Sequence, residues 1–158
     1  MAASQGDAPD LRGMVLRREF LSNVSPAPDD QARAVVMDWS LDRGTATLVV
    51  YDDGTTSLYY SSGGGVIGAG GHEAVRGAGE AFYAEAARMH REFTPVAAGD
   101  TMALPPANAV AFYLVTDSAT LRAGPVEASR LESGAHALAT LGNLAQGVIS
   151  AVREASPR

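Results

Sequence analysis

The sequence predicts an α+β domain built on an antiparallel sheet, and three observations carry that reading. A β-meander is legible between residues 33 and 62. Two later segments carry apolar residues at helical spacing, each as a single stripe. The strands do not alternate with helices as they would in a parallel, doubly wound sheet. Taken together, the order is β-β-β-α-β-β-α: about five strands, two long amphipathic helices and a short N-terminal helix.

The chain begins small and polar, so residues 1–10 read as a disordered N-terminus ahead of one domain spanning 11–158. Asp10 is placed to cap a short helix over about 11–22, with Leu11, Met14, Val15 and Leu21 as its apolar positions. Residues 23–32 contain Ser25-Pro26-Ala27-Pro28-Asp29-Asp30 and read as a linker. From Arg33 to Ser40 the chain alternates. Val35, Met37 and Trp39 face one way, and Val36, Asp38 and Ser40 the other, which puts Asp38 on a solvent face. Asp42-Arg43-Gly44 turns into a second strand, Thr45 to Asp52, and Asp53-Gly54 is a hairpin signal leading to a third, Thr55 to Ser62.

A Gly-rich stretch from Ser61 to Gly71 precedes a helix over His72 to Phe93, striped by Val75, Ala78, Phe82, Ala86, Met89 and Phe93. Arg76–Glu80 and Arg88–Glu92 are spaced for ion pairs on its solvent side. Thr94 to Asn108 reads as a long loop. Ala109 to Thr116 is apolar on both faces, so it is expected to be central or covered on both sides. A short strand over 119–124 ends at Gly124-Pro125, and the last helix, about 135–154, carries the stripe Leu138, Leu141, Ala145, Val148, Val152.

Composition narrows the chemistry. The chain of 158 residues has no Cys, which removes thiol nucleophiles, disulfides and cysteine-ligated metals. Lys is also absent, so Schiff-base chemistry and the phosphate-binding Lys of a P-loop are excluded. All twelve basic residues are Arg and Ile is scarce, a pattern of high-GC codon usage. A net charge of −6 with scattered arginines speaks against nucleic-acid and anionic membrane partners. No apolar run reaches the ~20 residues of a membrane span. The first residues lack the pattern of a signal peptide, so a cytoplasmic location is the expectation.

Layouts of this kind are found in profilin-like, longin-like and roadblock-like domains, although those usually place two strands before the first long helix and three after. The stretches Val35-Val36-Met37-Asp38-Trp39, Ser61-Ser62-Gly63-Gly64-Gly65-Val66-Ile67-Gly68 running on to Gly71-His72-Glu73, and Phe112-Tyr113-Leu114-Val115-Thr116 resemble a family of small proteins from high-GC bacteria with no known activity. The resemblance spans about Ala34 to Arg153 and implies only bacterial origin and single-domain architecture.

The candidate ligand site is the Gly-rich loop: Ser61, Ser62, Gly63, Gly64, Gly65, Gly68, Gly70, Gly71 and His72. Its Gly63-Gly64-Gly65-Val66-Ile67-Gly68 matches G-x-G-x-x-G and leads toward a helix N-terminus, where backbone N–H groups hold anions. Against a phosphate, the preceding strand belongs to a hairpin, and Glu73 already occupies the first helical turn. No cofactor or metal is expected. His72 and His90 stand 18 positions apart on one predicted helix, about 27 Å. His136 is alone. Asp52-Asp53 is explained by the turn. Ser61 and Ser62 lack a nucleophile elbow. Tyr51, Tyr59 and Tyr113 would make a partner surface, or part of a core, if they share a sheet face.

The absence of a catalytic constellation makes a non-catalytic interaction or regulatory domain the leading expectation. It would self-associate, because a strand apolar on both faces needs a cover and the N-terminal helix is short. A small-ligand or phosphate-binding module using residues 61–72, and a small hydrolase centred on His72 or Asp38, are the alternatives.

Overall fold

The computed structural model describes residues 10–66 and 69–155. The expected disorder of the first residues lies mostly outside that range. In chain order the elements are α1 (Leu11–Leu16), β1 (Ala34–Leu41), β2 (Gly44–Tyr51), β3 (Thr56–Tyr60), β4 (Gly65–Val66), α2 (Glu73–Arg88), β5 (Thr94–Pro95), β6 (Ala109–Val115), β7 (Thr120–Glu127), α3 (Ala128–Glu132) and α4 (Ala139–Ala155). The sheet order is β4-β3-β2-β1-β6-β7-β5, antiparallel throughout. The five expected strands are its long members, and β4 and β5 add two residues at each edge.

Alternation along the strands sorts the core into two layers. On one face Val35, Met37, Leu48, Val50, Leu58, Phe112 and Leu114 pack against both long helices through Val75, Phe82 and Ala86 of α2 and Leu141, Ala145, Val148 and Val152 of α4. Both helical stripes thus point where their spacing places them. Phe82 is fully buried, its ring centroid 6.4 Å from that of Phe112. On the other face Ala34, Val36, Val49, Ala111, Tyr113 and Val115 pack under Val15 and Leu16 of α1, with Phe20, Val96 and Met102 alongside. The doubly apolar strand, β6, is therefore covered on both sides by its own chain, and this face creates no need for a second subunit.

Several boundaries differ from the expected ones for identifiable reasons. α1 stops after Leu16 because Arg18 takes a left-handed conformation, φ 62°. The Pro-rich segment 23–32 is pinned to the β6–β7 turn. Ala27 N–H donates to Asp117 Oδ2 at 2.7 Å, Arg33 pairs with Asp117 and Asp52 at 2.9 and 3.0 Å, and Asp30 accepts from Thr116 and Ser118. Gly124-Pro125 does not end β7. A register shift between Val110 and Phe112 absorbs it, the Gly124–Pro125 peptide is cis, and pairing resumes through Val110–Val126 to Ala109–Glu127. Arg88 pairs with Glu85 at 2.6 Å, not with Glu92, because α2 ends at Arg88 and Glu92 lies in a following 3-10 turn.

Candidate functional site

The site is built on one cross-strand row of the sheet face that α1 covers. Ala111, Asp38, Thr47, Tyr59 and Gly65 stand opposite one another in successive strands β6, β1, β2, β3 and β4. Asp38 is fully buried, contrary to the solvent-facing position expected from the strand pattern. Its carboxylate is held by Arg12 of α1: Nε lies 3.1 and 3.0 Å from the two oxygens, and Nη2 2.7 Å from Oδ2. Thr47 Oγ1 donates to Asp38 Oδ1 at 2.7 Å, and Arg12 Nη2 also reaches the Met102 carbonyl at 2.6 Å. These donors satisfy the oxygens of a carboxylate withdrawn from water. The pair ties α1 and the 96–105 loop to the middle of the sheet.

Beside this cluster, between α1 and the β3–β4 turn, lies a groove of about 620 Å³. Ser61, Gly63, Gly64 and Gly65 form one side. Thr45, Thr47 and Tyr59 come from the sheet, with Tyr60 at the strand end, and Asp10, Leu11, Arg12 and Leu104 complete it. Leu104 is 45% exposed, an apolar side chain at the rim.

The glycines serve a β-hairpin rather than a helix N-terminus. Tyr60 N–H donates to the Gly64 carbonyl at 3.2 Å and Gly63 N–H to the Tyr60 carbonyl at 2.9 Å. Gly63 and Gly64 take φ 107° and 84°, values that L side chains rarely adopt. A Cβ on Gly65 would stand 2.2 Å from the Leu58 carbonyl oxygen, so the close approach of β4 to β3 requires glycine there. The G-x-G-x-x-G match is thus a turn followed by a strand. Of the candidate residues, Ser61, Gly63, Gly64 and Gly65 converge on the groove, whereas Ser62, Gly71 and His72 do not line it. Gly68 lies outside the described residues.

Several of the groove's hydroxyl and carboxyl side chains are already engaged. Ser61 Oγ accepts the Thr45 N–H at 2.8 Å and so closes the β2–β3 edge. Thr45 Oγ1 shares a hydrogen with Ser40 Oγ, which itself donates to the Pro105 carbonyl. Asp10 caps α1 by accepting the Gly13 N–H at 2.9 Å, and that bond, aided by Arg17, holds its carboxyl below the usual range. The other residues weighed from the sequence are dispersed. His72 is exposed ahead of α2, and His90 is exposed in a 3-10 turn. His136 Nδ1 accepts the Leu138 N–H at 3.0 Å near the start of α4. Asp52 pairs with Arg33, and Asp53 accepts the Thr55 N–H, which lowers its pKa. Among the described residues no group of three or more His, Asp or Glu is placed to hold a metal ion.

Tyr51, Tyr59 and Tyr113 do share the α1-covered face. Tyr113 is fully buried, with the guanidinium carbons of Arg12 and Arg122 each 6.0 Å from its ring centroid. Tyr51 packs edge-on against Phe20 at 5.4 Å, and burial pushes its hydroxyl pKa well up. They belong to the core and its margin.

No protein-family model, curated protein or solved structure matches the chain. Among the described residues no helix is long and apolar enough to cross a membrane.

Sequence reasoning missed Arg12, Asp38, Thr47 and Tyr59 as one cluster. The signal was available for part of it. A two-residue β1–β2 turn at Asp42-Arg43 sets Asp38 opposite Thr47. The contribution of Arg12 from a distant helix had no local signal.

Proposed function

We propose that the chain is a non-catalytic binding domain whose site is the groove between α1 and the β3–β4 turn, and that its ligand is a small neutral molecule with a ring face and hydrogen-bonding edges. The observation that carries this reading is the composition of the groove wall. Tyrosine rings, threonine side chains and glycine backbone converge there, while the ionic groups neutralise one another within the chain. Such a wall suits stacking and directional hydrogen bonding. It does not favour an anion, because Arg12 is already neutralised by Asp38. The α2 N-terminus also lies outside the lining and carries Glu73.

The leading expectation from the sequence, a self-associating interaction domain, rests on the doubly apolar strand needing a cover. The chain's own α1 and 96–105 segments fill that face, so the groove is the better candidate surface. Nucleosides and monosaccharides, each tested against its phosphorylated form by thermal shift, separate the readings. The neutral forms are expected to raise the melting temperature more, and Leu104→Glu, a substitution at an exposed rim position, to abolish the shift. A stronger response to the phosphorylated forms would favour the phosphate-binding reading instead.

A further inference from the structure

A second cavity, of about 220 Å³, opens between the helix layer and the sheet on the face opposite the groove. Its depth is apolar. Met37, Val110 and Leu131 are core residues, and half-buried Trp39, the single Trp of the chain, forms part of the wall. α3 and α4 approach each other closely at one end of this space. Gly142 lies against Leu131, with an ideal Cβ only 3.3 Å from Leu131 Cδ1, and Ala128 stands at the start of α3. Three polar side chains from the same two helices, Glu132, Asn143 and Gln146, also line it. None of them makes a hydrogen bond or ion pair within the described residues.

We propose that this cavity binds a small cationic amphiphile: a primary amine carrying one aromatic or branched aliphatic group. An apolar cavity of about 150 Å³ already holds a benzene ring, so this one takes a ring and a two-carbon arm. An apolar pocket with a few convergent polar groups is the usual form of a small-molecule site. The ring lies against Met37, Leu131 and Trp39, where its burial supplies the driving force. The ammonium meets the Glu132 carboxylate, with the Asn143 and Gln146 amide oxygens as further acceptors. The sign of the charge follows from Glu132, which has no partner cation, and from the net charge of −6. This site is independent of the groove, and its test does not use groove residues.

Three probes of similar shape decide the matter: 2-phenylethylamine, 2-phenylethanol and phenylacetate, titrated against the full chain. Trp39 emission and calorimetry are the readouts. The amine is expected to bind about tenfold more tightly than the alcohol, as one partly screened charge contact gives, and the carboxylate most weakly. Glu132→Gln, at an exposed position, should bring amine and alcohol together without weakening the alcohol. Ala128→Phe should occlude the cavity and abolish all three responses, with circular dichroism confirming its fold. Absence of saturable binding by the amine at millimolar concentration overturns the proposal. So does an amine preference unchanged in Glu132→Gln.

Discussion

Asp38 is the residue on which the covered face turns. It is fully buried, whereas the Arg12 side chain keeps 19% of its exposure. Removing one partner of a buried pair strands the other charge, whereas replacing both by apolar groups is often neutral. Arg12→Ala should therefore cost about 3 kcal/mol in urea unfolding, at the lower end for buried pairs. The double replacement Arg12→Met with Asp38→Leu should lose much less. Equal losses would show that the pair acts as packing alone. Surface carboxylates set the acid limit. Asp10, Asp30 and Asp53 have pKa values lowered in the fold, mainly by hydrogen bonds from Gly13, Ser118 and Thr55. Their contribution is present above the unfolded carboxylate pKa of about 3.9 and is lost as pH falls through the lower folded values. Tyr51 acts at the other end. Its raised pKa means that stability declines as pH climbs past about 10, where the unfolded chain ionises first. A pH series of melting temperatures should show both limbs, with the acid limb shallower in Asp30→Asn. At this scale the sequence exposed types and periods. It placed Asp38 on the correct strand and face but in the wrong medium, because the cover comes from a helix more than twenty positions away.

Elements were legible where periodicity ran long. Both helical stripes and the three strands of the meander follow from spacing and turn signals, and Phe82→Ala should cost about 3–5 kcal/mol because its ring is fully enclosed between α2 and the sheet. A loss under about 1 kcal/mol would mean that the site collapses around the truncation or that the stripe packs loosely. Short pieces were illegible: α3 has five residues and β4 two, too few to show a period. The Gly-rich run was visible as unusual, yet its composition fits a phosphate loop and a tight hairpin equally. Geometry separates the two. Gly65→Ala meets a carbonyl oxygen at 2.2 Å and should detach β4, seen as loss of amide protection at Val66. Gly63→Ala has open space around its Cβ and should cost only the left-handed backbone penalty, about 1–2 kcal/mol. Protection at Val66 that survives in Gly65→Ala would show that the hairpin does not depend on this close approach.

Across the whole molecule, the sheet is covered on both faces by one chain, long helices on one side and α1 with the 96–105 loop on the other. The sequence posed this problem through the doubly apolar β6. It could not decide between an internal cover and a second subunit, since the contacts that dock α1, Arg12 on Asp38 and the burial of Val15 and Leu16, join positions far apart in the chain. Light scattering at micromolar concentration should accordingly give a mass near 16.3 kDa. Deletion through residue 24 should expose Val36, Ala111 and Tyr113 and promote association. The same docking makes α1 one wall of the groove, so cover and site rise and fall together. The most direct measurement is an amide-resolved NMR titration of the full chain with a neutral nucleoside. Shift changes are expected at Ser61, Gly63, Gly64, Thr45, Thr47 and Arg12, and are expected to be lost in Leu104→Glu. Changes confined to the α2 N-terminus around His72 and Glu73, or absent from the groove altogether, would contradict the groove as the site.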